Sequence, residues 1–363
     1  IMTRSIIYSV CILFCFSCNN EMTQQFEPKS SALGKMNEIV VVADDDLWES
    51  AIGDTFRYYF QSAYPILPTP EPIFDIRQFS IKELNNQPLR KELRTYAILA
   101  DLSDEDSPTT QMVKKDMGSE KFEAVMAGKG KNSSVGKDKW ARGQVLFYLF
   151  GKDKVNLSEA IKNHYSAIAR RVNKHDEKQL KSSIYVDVIN RRLTERLKND
   201  FGLDLEVPGE YKVVIDDVEN KMLWVRKDTK EAIQNLVIRT IPYDNENQVT
   251  KANMIALRNE FGKKYIKSDE PEDFMVVNEK DLPVYEYTFE LDGRYTREIR
   301  GVWEMSKAFA GGPFATYLIV DEKAKQLIYV DAFVLAPGHD KRDLMMQLDF
   351  IVKSGKFTNR IQI

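Results

Sequence analysis

No cysteine follows Cys18 in this chain of 363 residues, and the other two, Cys11 and Cys15, precede it. Everything downstream must therefore hold itself together without disulfides and without thiolate ligands. Its stability has to come from buried apolar surface. The composition allows this, since 43% of residues are hydrophobic and 29% charged, a globular balance with enough residues for two ordinary domains. A net charge of −3 gives no reason to expect a nucleic-acid partner.

The three cysteines sit in a stretch of their own. Arg4 is followed by an apolar run from Ile6 to Phe16 and then by Ser17-Cys18. A run of that length fits the roughly 7–15 residue core of an export signal. It is short of the ~20 apolar residues of a spanning helix. Cleavage before a lipidated cysteine needs a small preceding residue, which Ser17 supplies for Cys18. Phe14 before Cys15 and Val10 before Cys11 are too bulky. Residues 1–17 are thus expected to be a lipoprotein signal peptide, with Cys18 acylated and holding the chain to membrane lipid. Residues 19–37 are polar, rich in Gln, Glu, Ser and Lys, and read with Cys18 as a tether spanning 18–37.

From residue 38 the pattern is α+β, with antiparallel sheets flanked by helices. Ile39-Val40-Val41-Val42 has the character of a buried strand. A helix is expected over 47–63, strands over 74–79 and 95–102, a helix over 108–126, a Gly/Lys/Ser loop over 128–136 and a strand over 140–150. That βαββαβ order matches a ferredoxin-like unit over 38–151. The polar stretch 151–156 marks the boundary of a second α+β domain, 152–363. It should hold two helices, over 157–172 and 184–201, and then a larger antiparallel sheet. Its strands are expected over 211–215, 222–226, 236–241, 274–277, 284–291, 296–303, 314–320 and 327–334. Two further helices are expected over 251–265 and 342–352. Asp292-Gly293 is a hairpin turn signal.

Catalytic signatures are weak. Gly130-Lys131-Asn132-Ser133-Ser134-Val135-Gly136-Lys137 has five residues between its glycines and Asp138 after the lysine. A phosphate loop needs four, then Ser or Thr. His164 and His175 lack the four-residue spacing of paired metal ligands, and His339 stands alone in a loop. No Gly-x-Ser-x-Gly elbow is present. Glu206, Asp216 and Asp217 lie near strand ends but have no spacing that marks an acid/base pair. No metal site, cofactor or catalytic residue is assigned, and the reading leans away from an enzyme. The helical stretch 159–200 is basic. Arg170, Arg171, Arg191 and Arg192 are candidate contacts to an anionic lipid surface.

The last distinctive stretch is Gly301-Val302-Trp303-Glu304-Met305, leading to Phe309-Ala310-Gly311-Gly312-Pro313-Phe314. An irregular loop rich in apolar residues either folds back into the core or meets a partner. Trp303 and Phe314 are expected in the core. Phe309, with Met305, Gly311 and Gly312, is the candidate partner contact. Together with Trp140-Ala141-x-x-Gln144 and the Cys18 motif, this segment resembles a Bacteroidota outer-membrane lipoprotein family. That family is known only as a domain of unknown function, of Gly-x-Trp-Glu and Met-Gly-Gly-Pro-Phe type; Ala310 replaces its methionine. The resemblance implies an outer-membrane lipoprotein and brings no catalytic residue with it. The function expected is a lipid-anchored envelope binding or scaffold protein, an accessory subunit to other outer-membrane proteins. The alternatives are an envelope hydrolase acting on glycan or peptide and a small-ligand or glycan carrier.

Overall fold

The structure is a computed structural model that describes residues 29–357. The signal stretch 1–17 and the lipidation candidate Cys18 lie outside the described residues. The chain divides into two compact units. The first runs up to Phe56 and resumes over Ile76–Ile168; the second comprises Arg57–Asp75 and everything from Ala169 onward.

The first unit is built on β1 (Glu38–Val42), whose four apolar residues are all buried. Such a run, apolar on both faces, suits the centre of a parallel sheet. α1 (Asp45–Trp48) and α2 (Ala51–Phe60) follow as two helices where one was expected. Trp48 and Gly53 approach closely there: a Cβ on Gly53 would lie 1.8 Å from the Trp48 carbonyl oxygen. Then come β2 (Asp75–Phe79), α3 (Ile81–Asn86), β3 (Thr95–Asp101), α4 (Pro108–Met117), α5 (Ser119–Met126), β4 (Ser133–Lys137) and β5 (Val145–Gly151). The sheet order is β2-β1-β3-β5-β4. β1 pairs with β3 and β3 with β5 in parallel, and β4 is antiparallel to β5.

Mixed α and β structure with helices flanking the sheets is what the sequence led us to expect. The ferredoxin-like arrangement is not what forms. That fold needs an all-antiparallel sheet, whereas three central strands here run parallel. The cause is local. Ser80 and Glu83 cap each other reciprocally and start α3, and a 3-10 turn follows over Pro88–Glu92. This puts a helical connection between β2 and β3 in place of the tight hairpin that the ferredoxin-like order expects, and β3 then pairs in parallel with β1. The capping box is legible in the sequence as Ser80-x-x-Glu83. The expected helix over 108–126 breaks at Gly118, whose φ is 82°. Half of the expected loop over 128–136 becomes β4, because the apolar β5 offers it a full antiparallel ladder.

α6 (Lys154–Ile184) is one 31-residue helix, where an end near 172 had been expected. No Gly or Pro interrupts 173–176, and Lys174 pairs with Glu177 at 2.6 Å across one turn. The first unit therefore continues past 151 to Ile168. Bonds within that unit explain why: Ser158 Oγ lies 3.5 Å from Thr55 Oγ1, and His164 Nε2 lies 2.9 Å from Asn132 Oδ1.

The second unit opens its main run with α7 (Arg191–Arg196) and a π turn ending at Gly202. β6 (Leu203–Asp204) precedes the large sheet. That sheet comprises β7 (Lys212–Asp217), β8 (Met222–Asp228), β9 (Ile233–Pro242), β10 (Met275–Asn278), β11 (Tyr285–Leu291), β12 (Arg294–Met305), β13 (Gly311–Asp321) and β14 (Gln326–Leu335). Its order is β10-β12-β13-β14-β9-β8-β7, with β11 also on β12, and every pairing is antiparallel. α8 (Lys251–Tyr265) follows β9, α9 (Arg342–Lys353) follows β14, and β15 (Lys356–Phe357) pairs with β6. From β7 onward, strands and helices stand where the sequence placed them; the helix expected over 184–201 starts only at Arg191 and closes in the π turn. Asp292 and Gly293 both take positive φ, 47° and 74°, as a tight hairpin demands.

Strand side chains alternate between faces. Ile299, Trp303, Phe314, Leu318, Tyr329 and Phe333 share a core with Met254, Ile255 and Phe261 of α8. Tyr317 and Arg300 point the other way and meet Asp349 of α9. In the α8 core, Arg258 Nε meets Asp331 Oδ1 at 3.1 Å, and both side chains are fully buried. Thr316 donates to the same oxygen at 2.6 Å, and the guanidinium lies 4.0 Å from the Phe314 ring centre. Within this unit the early excursion 57–75 returns to α9. Glu71 accepts the backbone N–H groups of Lys341 and Arg342, at 2.7 and 2.8 Å.

Candidate functional site

The hairpin between β12 and β13 carries the most conspicuous surface feature among the described residues. Phe309, at its tip, is fully exposed (110%). The loop under it is held from below. Asp273 is buried (1%) and accepts from Lys307 N at 2.7 Å, Ala308 N at 3.3 Å and Ser306 Oγ at 3.1 Å. Those donors and the Ser268 hydroxyl, the largest contributor, hold its carboxyl below the usual carboxylate range. Ser306 N donates to Phe274 O at 2.9 Å, Ser306 Oγ accepts from Phe274 N at 3.2 Å, and Met305 N donates to Ala310 O at 2.8 Å. Every residue from 305 to 308 is thus anchored by backbone bonds, and Phe309 stands free on a fixed base.

The neighbours of Phe309 have other tasks. Trp303 (4%) and Phe314 (1%) are core, and Met305 packs against the same core. Gly311 and Gly312 had been expected in an irregular contact loop. They lie instead in β13, opposite Glu304 and Trp303. Gly312 is buried, and a Cβ there would sit 1.9 Å from Val334 O. It is glycine so that two strands can close, which removes Gly312 from any contact surface. The contact candidate narrows to Phe309. Asp273 was missed, because nothing in Pro271-Glu272-Asp273-Phe274 tells which acid will fold under a loop 34 residues away.

The four arginines Arg170, Arg171, Arg191 and Arg192 are all exposed. Arg170 lines a groove of about 700 Å³ with Tyr64, Lys174, Glu177, Asp349 and Lys353. Beneath it lies a closed polar set. Arg300 bonds Glu298 and Asp349, Lys353 meets Glu298 at 3.1 Å, and Tyr317 donates to Asp349. Burial would lower the Arg300 pKa; Asp349 and the other anions around it outweigh that and raise it. Burial first, then Asp349, pushes the Tyr64 hydroxyl up. The Arg300 guanidinium and the Tyr64 and Tyr317 hydroxyls therefore keep their protons, and Glu298 and Asp349 each already have a cation.

The remaining sequence candidates are structural. Asp216 is gripped by both terminal nitrogens of Arg196. Asp217 takes the Tyr265 hydroxyl at 2.6 Å, which with Asn220 holds its pKa near the bottom of the carboxylate range, at about 2. His164 bonds β4 through Ser133 Oγ at 3.1 Å. At the carboxyl ends of β1 and β3, where parallel sheets commonly take ligands, Asp44, Asp45, Asp46, Asp101 and Asp104 ring a crevice. Asp44 is bonded by Ser107 Oγ and by Thr109 Oγ1, the latter at 2.8 Å, and Asp101 accepts from Ser103 Oγ at 2.7 Å. Among the described residues no group of acids, histidines or cysteines is arranged to hold a metal. No helix among them is long and apolar enough to cross a membrane.

Comparison with known proteins divides the chain differently, between residues 185 and 190 and without the excursion 57–75. Residues 32–185 match a domain of unknown function, DUF8532, and residues 190–354 match another, DUF4837. No protein of curated function matches the sequence. Among solved structures, the crystal structure of LpqN, involved in cell envelope biogenesis of Mycobacterium tuberculosis, aligns at 12% identity and a TM-score of 0.26. It covers 43% of this chain and 83% of LpqN.

Proposed function

We propose that this pair of uncharacterised domains is a lipid-anchored binding protein of the cell envelope, tethered through Cys18 and engaging an outer-membrane protein through Phe309. The observation that carries the reading is the fully exposed phenylalanine on a loop pinned by a buried aspartate. Placing a large apolar ring in water on a rigid base costs the free protein and benefits only a complex. Aromatic residues held this way dominate binding energy at interfaces. Burying the ring in a partner's pocket is worth about 2 kcal/mol, or roughly thirtyfold in Kd. Arg170, Arg171, Arg191 and Arg192 would add attraction to anionic headgroups near the anchor.

Three experiments test this. A photo-crosslinking amino acid at position 309, in intact cells, should trap one or a few envelope proteins. Phe309→Ala in the full chain should abolish capture of the same partner by a C-terminal tag, while the melting transition stays unchanged. Trapping nothing above background, or unfolding of the alanine variant, would remove Phe309 from the proposal. Cys18→Ala should move the protein from the membrane to the soluble fraction. A mutant that stays in the membrane with its signal removed would overturn the anchor.

A further inference from the structure

We infer that the open edge of the first unit's sheet, β4, accepts an extended acidic peptide as an added strand. The register supplies the docking groups. Asn132 O accepts from Phe150 N at 3.1 Å, and Asp138 N donates to Gln144 O at 3.2 Å. Along an antiparallel ladder, bonded and non-bonded pairs alternate. Ser134 and Gly136 therefore turn their backbone groups toward β5, opposite Tyr148 and Leu146. Ser133, Val135 and Lys137 turn theirs outward, at the end of the sheet order. Exposed edges of this kind are the template for strand addition.

Beside this edge lies a groove of about 760 Å³, floored by Val113, Met117, Val125, Tyr148 and Phe150. It stays open because β4 contributes small groups on that face. Ser134 and Gly136 project there, and a Cβ on Gly136 would already come within 3.2 Å of the Tyr148 ring. A strand added to β4 would send alternate side chains into this space. Charge selects the occupant. The two acids of the groove are committed: Asp116 to Lys139 at 2.6 Å and to the Tyr148 hydroxyl at 2.8 Å, Asp138 to the backbone N–H groups of Gly143 and Gln144. Lys121, Lys131 and Lys137 line it without an acidic partner among the described residues. A strand that alternates acidic and apolar residues fits this edge, its acids entering the groove toward the lysines and its apolar residues lying on the opposite face beside exposed Val135. This surface belongs to the first unit and is independent of Phe309.

The test uses the full chain in detergent and a fluorescent peptide of about six residues, alternating glutamate and valine, a length matched to β4. Polarisation should report binding that is at least about tenfold tighter than for a lysine/valine peptide of the same length. Val135→Pro removes an outward N–H without touching the β4–β5 ladder, and should weaken binding at least about tenfold. Combined Lys121→Glu, Lys131→Glu and Lys137→Glu should reverse the preference between the two peptides. Amide exchange at Val135 and Lys137 should slow on binding. Equal binding of both peptides, full binding by a folded Val135→Pro variant, or unchanged exchange at those two amides would each overturn the inference.

Discussion

Arg258→Met places a neutral side chain of similar length between α8 and the large sheet and leaves Asp331 buried without its cation. Nε and Oδ1 are 3.1 Å apart and neither side chain meets solvent. At an effective dielectric of about 20, that separation corresponds to an attraction of about 5 kcal/mol. Taking both groups out of water costs several kcal/mol per ion, so the pair as a whole contributes little. Removing one member exposes the unpaid half of that cost, and the single variant should lose about 3–5 kcal/mol. Asp331→Leu alone should lose a similar amount. The double variant should lie within about 1 kcal/mol of the native protein, because no charge is then stranded. Burial pushes the Asp331 carboxyl up, while Arg258 and Thr316 pull it down. Without Arg258 its folded pKa rises further above the unfolded value of about 3.9, so the folded state binds the extra proton. The deficit of Arg258→Met should thus be smallest near pH 4 and grow as pH rises through the raised folded pKa. Urea unfolding followed by tryptophan fluorescence reads this, with Trp48 and Trp140 changed to Phe so that only Trp224 and Trp303 of the second unit report. A loss below about 1 kcal/mol in Arg258→Met, or a double variant no better than the worse single, would refute the reasoning.

Gly312→Ala should cost about 3 kcal/mol, the upper range for overpacking, since its Cβ would meet Val334 O at 1.9 Å; thermal melting checks it. Asp217 should titrate at about 2, and Tyr265→Phe should raise that value; its depressed pKa stabilises the fold above the unfolded pKa, an advantage lost as pH falls toward 2, and carboxyl NMR titration follows both. Arg170, Arg171, Arg191 and Arg192 changed together to Gln should reduce binding to anionic vesicles at low salt, and vesicle sedimentation that shows no difference would remove them from lipid contact.

The second unit was legible because its signals are local. The continuous apolar runs of β13 and β14 and the Asp292-Gly293 turn each state their own structure. In the first unit the main departure turns on the six-residue helix α3, too short to show periodicity. It stands where a hairpin between β2 and β3 was expected. At the surface, Phe309 was legible as a large apolar residue beside glycines, whereas Asp273 was not. Its role is defined by a partner in space rather than by its neighbours in sequence. Asp331 held a clue of its own: an acid inside Leu327-Ile328-Tyr329-Val330-Asp331-Ala332-Phe333-Val334 must find a cation, though the sequence does not say which.

The bond from Glu71 to the start of α9 fixes the order in which this protein can be finished. The two ends of that bond are separated by 270 positions, so one is synthesised long before the other. The first unit is complete once Ile168 has emerged, with its parallel strands already in sequence order. Arg57–Asp75, with Phe60 and Phe74 wholly buried in the final state, has by then been made, but Glu71 still lacks the amides of Lys341 and Arg342. Its final docking must wait until those two residues arrive. Long-range closure of this kind is slow and leaves apolar surface exposed meanwhile. A chain cut at residue 190 separates the two matched segments cleanly by sequence, but it strands 57–75 on the wrong fragment. The C-terminal piece would then lack the acid that binds the first amides of α9.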